Sequence, residues 1–136
     1  MTADDSHGDT ATADFVQRWY DLLSAHEPVE KLLPHVSPHE LTMQFPETTL
    51  RSHDDFRRWY AAVGEAFREQ SHDIERLDTR RRGDIVHLTL TVLWQATQTA
   101  DDVTIRRRVR QQWRLRELSD GRLVIVTYQV GELVPA

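Results

Sequence analysis

The 136-residue sequence contains no cysteine and no asparagine, and Lys31 is its one lysine against sixteen arginines. Without cysteine there are no disulfides, thiolate metal ligands or cysteine nucleophiles, so the fold must rest on packing, which suits a reducing cytoplasm. Without asparagine there is no N-glycosylation acceptor. No apolar run nears the roughly 18 residues of a membrane span. The opening MTADDSHGDTAT has neither the basic start nor the apolar stretch of a secretory signal. A G-x-S-x-G elbow, a P-loop and a dinucleotide glycine pattern are all missing, so serine-triad hydrolysis, nucleotide hydrolysis and nicotinamide chemistry lack support. These absences point to a cytoplasmic protein that uses no cofactor and no membrane.

What is present is a chain of net charge −5 with 39% hydrophobic residues, long enough for one core. The charge is uneven. Acids crowd the first thirty residues, where Arg18 is the only arginine, whereas arginines crowd the stretch from Arg76 to Arg116. Residues 1–12 are small and acidic with no apolar period, which predicts a disordered acidic tail followed by a single domain over 13–136.

Phe15, Trp19, Leu22 and Leu23 recur at helical spacing, and Pro28 ends that helix. Val29, Leu32, Leu33 and Val36 suggest a short second helix. LTMQFPE alternates as a strand with Leu41, Met43 and Phe45 on one face until Pro46. Ser52 followed by Asp55 predicts a capped helix start, and Phe56, Trp59, Tyr60, Val63 and Phe67 form its apolar face. From residue 72 the period changes to 2, and turn clusters at 81–84, 99–102 and 119–122 divide four strand-like runs into an antiparallel meander.

The runs declare their faces. The even positions Val86, Leu88, Leu90, Val92, Trp94 and Ala96 are apolar, as are the odd positions Ile105, Val109, Trp113 and Leu115. Gln111 thus aims a polar group at the core, while Arg106, Arg108, Arg110, Arg114 and Arg116 form the opposite face. The predicted class is α+β: a curved, mostly antiparallel sheet wrapped as a cone around N-terminal helices.

At this point the chain resembles the nuclear transport factor 2-like superfamily and, within it, the bacterial SnoaL-like group. The resemblance runs over roughly residues 14–134, through FVQRWYDLL, LTMQFPE, DDFRRWYAAV, HDIERL, HLTLTVLWQAT, RVRQQWRLREL and VIVTYQV. It implies an apolar pocket inside the cone that holds one or two acid-base groups. Members include isomerases, dehydratases, cyclases and transport factors, so the fold does not select the reaction.

Inward polar residues are therefore the candidates. His72 shares the parity of Ile74 and is the expected proton carrier; Tyr128, on the parity of Val124, Val126 and Val130, is its expected partner. Gln111 would orient a ligand oxygen. Trp19, Trp59, Trp94, Trp113, Phe45 and Met43 would shape the pocket, and Glu47 continues the Met43 and Phe45 parity beyond Pro46. His35 and His39 have i, i+4 spacing but are flanked by Pro34 and Pro38, so no metal site is expected. The expected ligand is a small hydrophobic molecule, met by a cofactor-free isomerase, dehydratase or cyclase, in a homodimer contacting through Thr89, Thr91, Leu93 and Gln95. The alternative is a non-catalytic binding or interaction module that uses the same cavity or the arginine face. The acidic total charge and the carboxylates Glu75, Glu117, Asp73 and Asp78 argue against nucleic acid.

Overall fold

A computed structural model gives the architecture and describes residues 3–136, with side chains from Thr10 onward. Helix α1 (Ala3–Ser24) is followed by α2 (Val29–Leu32) and a 3-10 turn (Leu33–His35). Then come β1 (Thr42–Gln44), β2 (Thr49–Leu50), α3 (His53–Ala66), β3 (Phe67–Arg82), β4 (Ile85–Gln98), β5 (Thr104–Glu117) and β6 (Leu123–Pro135). The strands form one curved, unclosed sheet in the order β2-β1-β6-β5-β4-β3, and the three N-terminal helices lie with it in an α+β arrangement. All pairings are antiparallel except β1 with β6, which sets Met43 beside Tyr128.

The packed helix begins earlier than Asp14. Part of the expected tail lies outside the described residues, but from Ala3 the backbone is helical and Thr12 is buried. Thr12, Val16, Trp19 and Leu23 continue one stripe at i, i+4, i+7 and i+11, so a hydroxyl residue extends the face that apolar counting alone begins at Phe15. Phe15 and Leu22 flank this stripe and are only partly buried.

Helix α3 is capped as its sequence predicts: the Asp55 N–H donates to Ser52 Oγ at 3.1 Å. The Asp55 carboxylate accepts from the Arg51 N–H at 2.9 Å, one residue before the Ser52 N–H that closes a capping box. The helix passes directly into β3 at Phe67, five residues before the alternating pattern becomes visible. Two irregularities explain the concealment. The β3–β4 register slips between Arg68 and Ser71, where Glu69 has φ +53°, and again between Ile74 and Arg76. Each extra residue reverses the parity, which hides a period of 2.

Facing residues form rows across the concave side. The deepest of three successive rows runs Met43, Tyr128, Trp113, Leu88; the next contains Val130, Gln111, Leu90 and Leu77. The third has Leu133, Val109, Val92 and Ile74, and beyond it His72 pairs with Trp94 toward the open end. Helix α1 covers the deep rows with Val16, Trp19 and Tyr20, all nearly inaccessible to solvent. On the convex side the arginine face is held by carboxylates: Arg108 binds Glu75 through two nitrogens, at 2.7 and 3.2 Å, and Arg116 bridges Glu40 and Asp84. No described helix is long and apolar enough to cross a membrane.

Candidate functional site

Between α1, α3 and the concave sheet lies a cavity of about 150 Å³. Its lining sets the polar groups of Tyr20, His72, Gln111 and Tyr128 among the rings of Phe45, Trp59, Tyr60, Phe67 and Trp94, with His26, Glu47 and Gln70 also present.

His72 enters from β3. Its imidazole lies against the Tyr20 ring, with centroids 5.0 Å apart and planes 22° apart, and its Nδ1 is 2.9 Å from Ser24 Oγ at the end of α1. Burial pushes its pKa down to about 4, so the ring is neutral at physiological pH. Ser24 is a neutral partner and does nothing to restore the charge. With Nδ1 engaged, Nε2 is the nitrogen left without a protein hydrogen bond.

Gln111 is fixed by its neighbours. Its Oε1 accepts from the Tyr20 hydroxyl at 3.1 Å and from Trp113 Nε1 at 2.9 Å, and the residue is only 7% exposed. Two donors on the oxygen set the orientation of the amide, so the NH2 group carries the unspent donor capacity on the cavity wall. Tyr128 combines two roles: it is 4% exposed and stacked on Trp113 at 4.6 Å, yet it lines the cavity, where its hydroxyl oxygen accepts a long 3.4 Å bond from Trp19 Nε1. Burial raises the pKa of both phenols, that of Tyr20 well above 10 with Tyr128 reinforcing the shift, so both remain protonated donors.

Seven of the ten residues singled out in the sequence line the cavity: His72, Tyr128, Gln111, Trp94, Phe45, Trp59 and Glu47. Trp19, Trp113 and Met43 do not; each is at most 1% exposed and stands behind the wall. Parity places a side chain on the concave face but does not say how deep its row lies, and Trp113 and Met43 belong to the deepest of the three rows while Trp19 packs down onto Tyr128. Both buried indoles act at one remove, donating to Gln111 and Tyr128. Glu47 is exposed, as the break at Pro46 allows. Tyr20, His26, Tyr60 and Gln70 on the lining, and Ser24 behind His72, are not among the candidates drawn from the sequence. Tyr20 was readable as a neighbour of Trp19 on α1, whereas Gln70 reaches the wall only through the bulge at Glu69, from where its Oε1 accepts from Trp94 Nε1 at 3.1 Å.

Several solved structures share this architecture. A nuclear transport factor 2-like superfamily protein from Salmonella enterica aligns with a TM-score of 0.85 at 13% identity, covering 97% of this chain and 94% of that one. A provisional scytalone dehydratase from Novosphingobium aromaticivorans gives a TM-score of 0.87 at 13% identity over 100% and 92% of the two chains. The hexachlorocyclohexane dehydrochlorinase LinA-type3 from Novosphingobium barchaimii gives 0.84 at 11% identity over 100% and 94%. At such identities the likeness establishes the fold alone. Among curated proteins, none matches by sequence. The sequence profile of the SnoaL-like domain matches residues 16–126, most of the chain. With its helices, curved sheet and cavity arranged in this way, the chain belongs to the SnoaL-like domain family of the nuclear transport factor 2-like superfamily.

Proposed function

We propose that the cavity binds a small hydrophobic molecule of one or two fused rings, and that His72 removes a proton from a carbon of that molecule in a cofactor-independent isomerase, dehydratase or cyclase step. The observation carrying this reading is a neutral imidazole in a largely aromatic cavity beside an amide whose NH2 is unspent. The cavity's volume, about 150 Å³, is enough for a benzene ring. In the proposed step Nδ1–H donates to Ser24 Oγ, which leaves the Nε2 lone pair to take the proton. The Gln111 NH2 and the Tyr128 hydroxyl would donate to the ligand oxygen on which negative charge develops. Further support comes from the names of two structural relatives, a dehydratase and a dehydrochlorinase, which both denote loss of a small acid or water from carbon. We assign the protein to a reducing cytoplasm, which the lack of cysteine suits. A second copy would contact the convex face of β4 at Thr89, Thr91, Leu93 and Gln95.

Nitrobenzisoxazole, whose N–O bond breaks to give a cyanophenolate when a base removes the proton of the isoxazole carbon, tests the assignment without knowledge of the natural substrate. The native protein should accelerate opening roughly 10²-fold over buffer, the lower range for a positioned base. His72→Gln should return the rate to that of buffer. Because the base works only when deprotonated, the rate should be level above about pH 5 and fall with a midpoint near 4, following the lowered pKa. An acceleration that survives His72→Gln would reject His72 as the base.

A further inference from the structure

The end of α1 places a histidine where helices usually place glycine. The Glu27 N–H donates to the Leu22 carbonyl at 3.1 Å and the His26 N–H to the Leu23 carbonyl at 3.0 Å, which is the paired closure of a Schellman motif. His26 occupies the left-handed position of that motif, at φ +48°. A side chain is disfavoured there, and such an outlier persists where its surroundings over-determine it.

The surroundings are specific. The imidazole stacks on Tyr60 with centroids 4.2 Å apart and planes 7° apart, and Tyr60 is tied to the same turn by its hydroxyl, which donates to the Glu27 carbonyl at 2.5 Å. On α3 the ring meets Gly64. A Cβ built on Gly64 would lie 2.3 Å from His26 Nε2 and 2.6 Å from Cε1, and its three nearest neighbours are all atoms of that ring. Gly64 sits inside α3, where glycine weakens a helix relative to alanine. The glycine therefore stands where the ring lands, and the histidine where a glycine would have been easier. Both His26 and Tyr60 line the cavity, and His26 remains exposed to solvent on its outer side.

We infer that His26, seated on Gly64 and stacked on Tyr60, is a specificity-determining wall that sets the largest ligand the cavity admits. This rests on the ligand-binding reading above, so the test has one arm that does not depend on ligand. In the native background Gly64→Ala should lower the melting temperature, because the methyl group displaces the ring. In a His26→Gly background the same change should raise it, because only the ordinary helix preference remains. A Gly64→Ala change that raises the melting temperature in both backgrounds would overturn the seat.

The second arm compares indole with the larger dye anilinonaphthalene sulfonate. The native protein should bind indole and exclude the dye, while His26→Gly and Gly64→Ala should each gain at least about tenfold in dye affinity, equivalent to roughly 1.4 kcal/mol. Native protein that binds indole, with both variants still excluding the dye, would overturn the wall alone. Failure of every form to bind either probe would overturn the ligand-binding reading, and the wall with it.

Discussion

Gln111→Leu is expected to destabilise the protein by roughly 2–6 kcal/mol even though it makes the interior more apolar, because two donors lose their acceptor at once. The Tyr20 hydroxyl and Trp113 Nε1 both end on Gln111 Oε1, and Trp113, 1% exposed, stands behind the cavity wall, where water cannot replace the lost acceptor without opening the core. Each orphaned donor costs about 1–3 kcal/mol. Adding Tyr20→Phe to Gln111→Leu removes one of the orphans and should recover part of the loss, whereas Tyr20→Phe alone leaves Gln111 still accepting from Trp113. Urea unfolding of the three variants measures this. Additive effects would show that the amide oxygen does not hold the two donors together.

The second large effect is a loss of stability in acid. The imidazole of His72 titrates near 4 when folded and near 6.5 when the chain is unfolded. Between those values the unfolded chain binds the proton and the folded protein does not, so acid favours unfolding. The stability held above about pH 6.5 should decline as pH falls toward 4 and level off below it, as far as this group is concerned. The full difference is worth about 3 kcal/mol, and the partial exposure of the ring reduces it toward 2. Carboxylates such as Glu40 and Glu75, whose arginine partners lower their pKa, add their own loss at still lower pH. Subtracting the profile of His72→Gln isolates the histidine. Ser24→Asp should flatten the decline, since a carboxylate at Nδ1 favours the charged ring and raises its pKa. A native profile that matches that of His72→Gln from pH 7 to about 4 would mean that the ring is not desolvated.

Much of the fold was legible because β4 and β5 keep strict alternation. Val86, Leu88, Leu90 and Val92 are buried while His87 and Thr89 are exposed, and Gln111 lies inward between Val109 and Trp113. The turns fell at Gly83 and Gly121, whose positive φ needs glycine. What stayed hidden depends on contacts distant in sequence. Ser24 and His72 are 48 positions apart, and nothing local to either names the other. His26 reads locally as a poor helix terminator, and its place becomes intelligible only opposite Gly64. Face assignment likewise could not separate wall from core, which is why Trp94 lines the cavity and Trp113 stands behind it. The start of β3 was obscured by its two bulges, the first of which also carries Gln70 to the wall.

All of this turns on a chamber that receives a ring beside an uncharged His72 and the free NH2 of Gln111. Titration of the labelled protein with cyclohexenone, followed by nuclear magnetic resonance at pH 7, tests that most directly. The His72 imidazole and Gln111 side-chain amide signals should move together along one saturating curve, while His87 on the convex face stays still. Unmoved His72 and Gln111 signals, or shifts confined to the convex face, would contradict it.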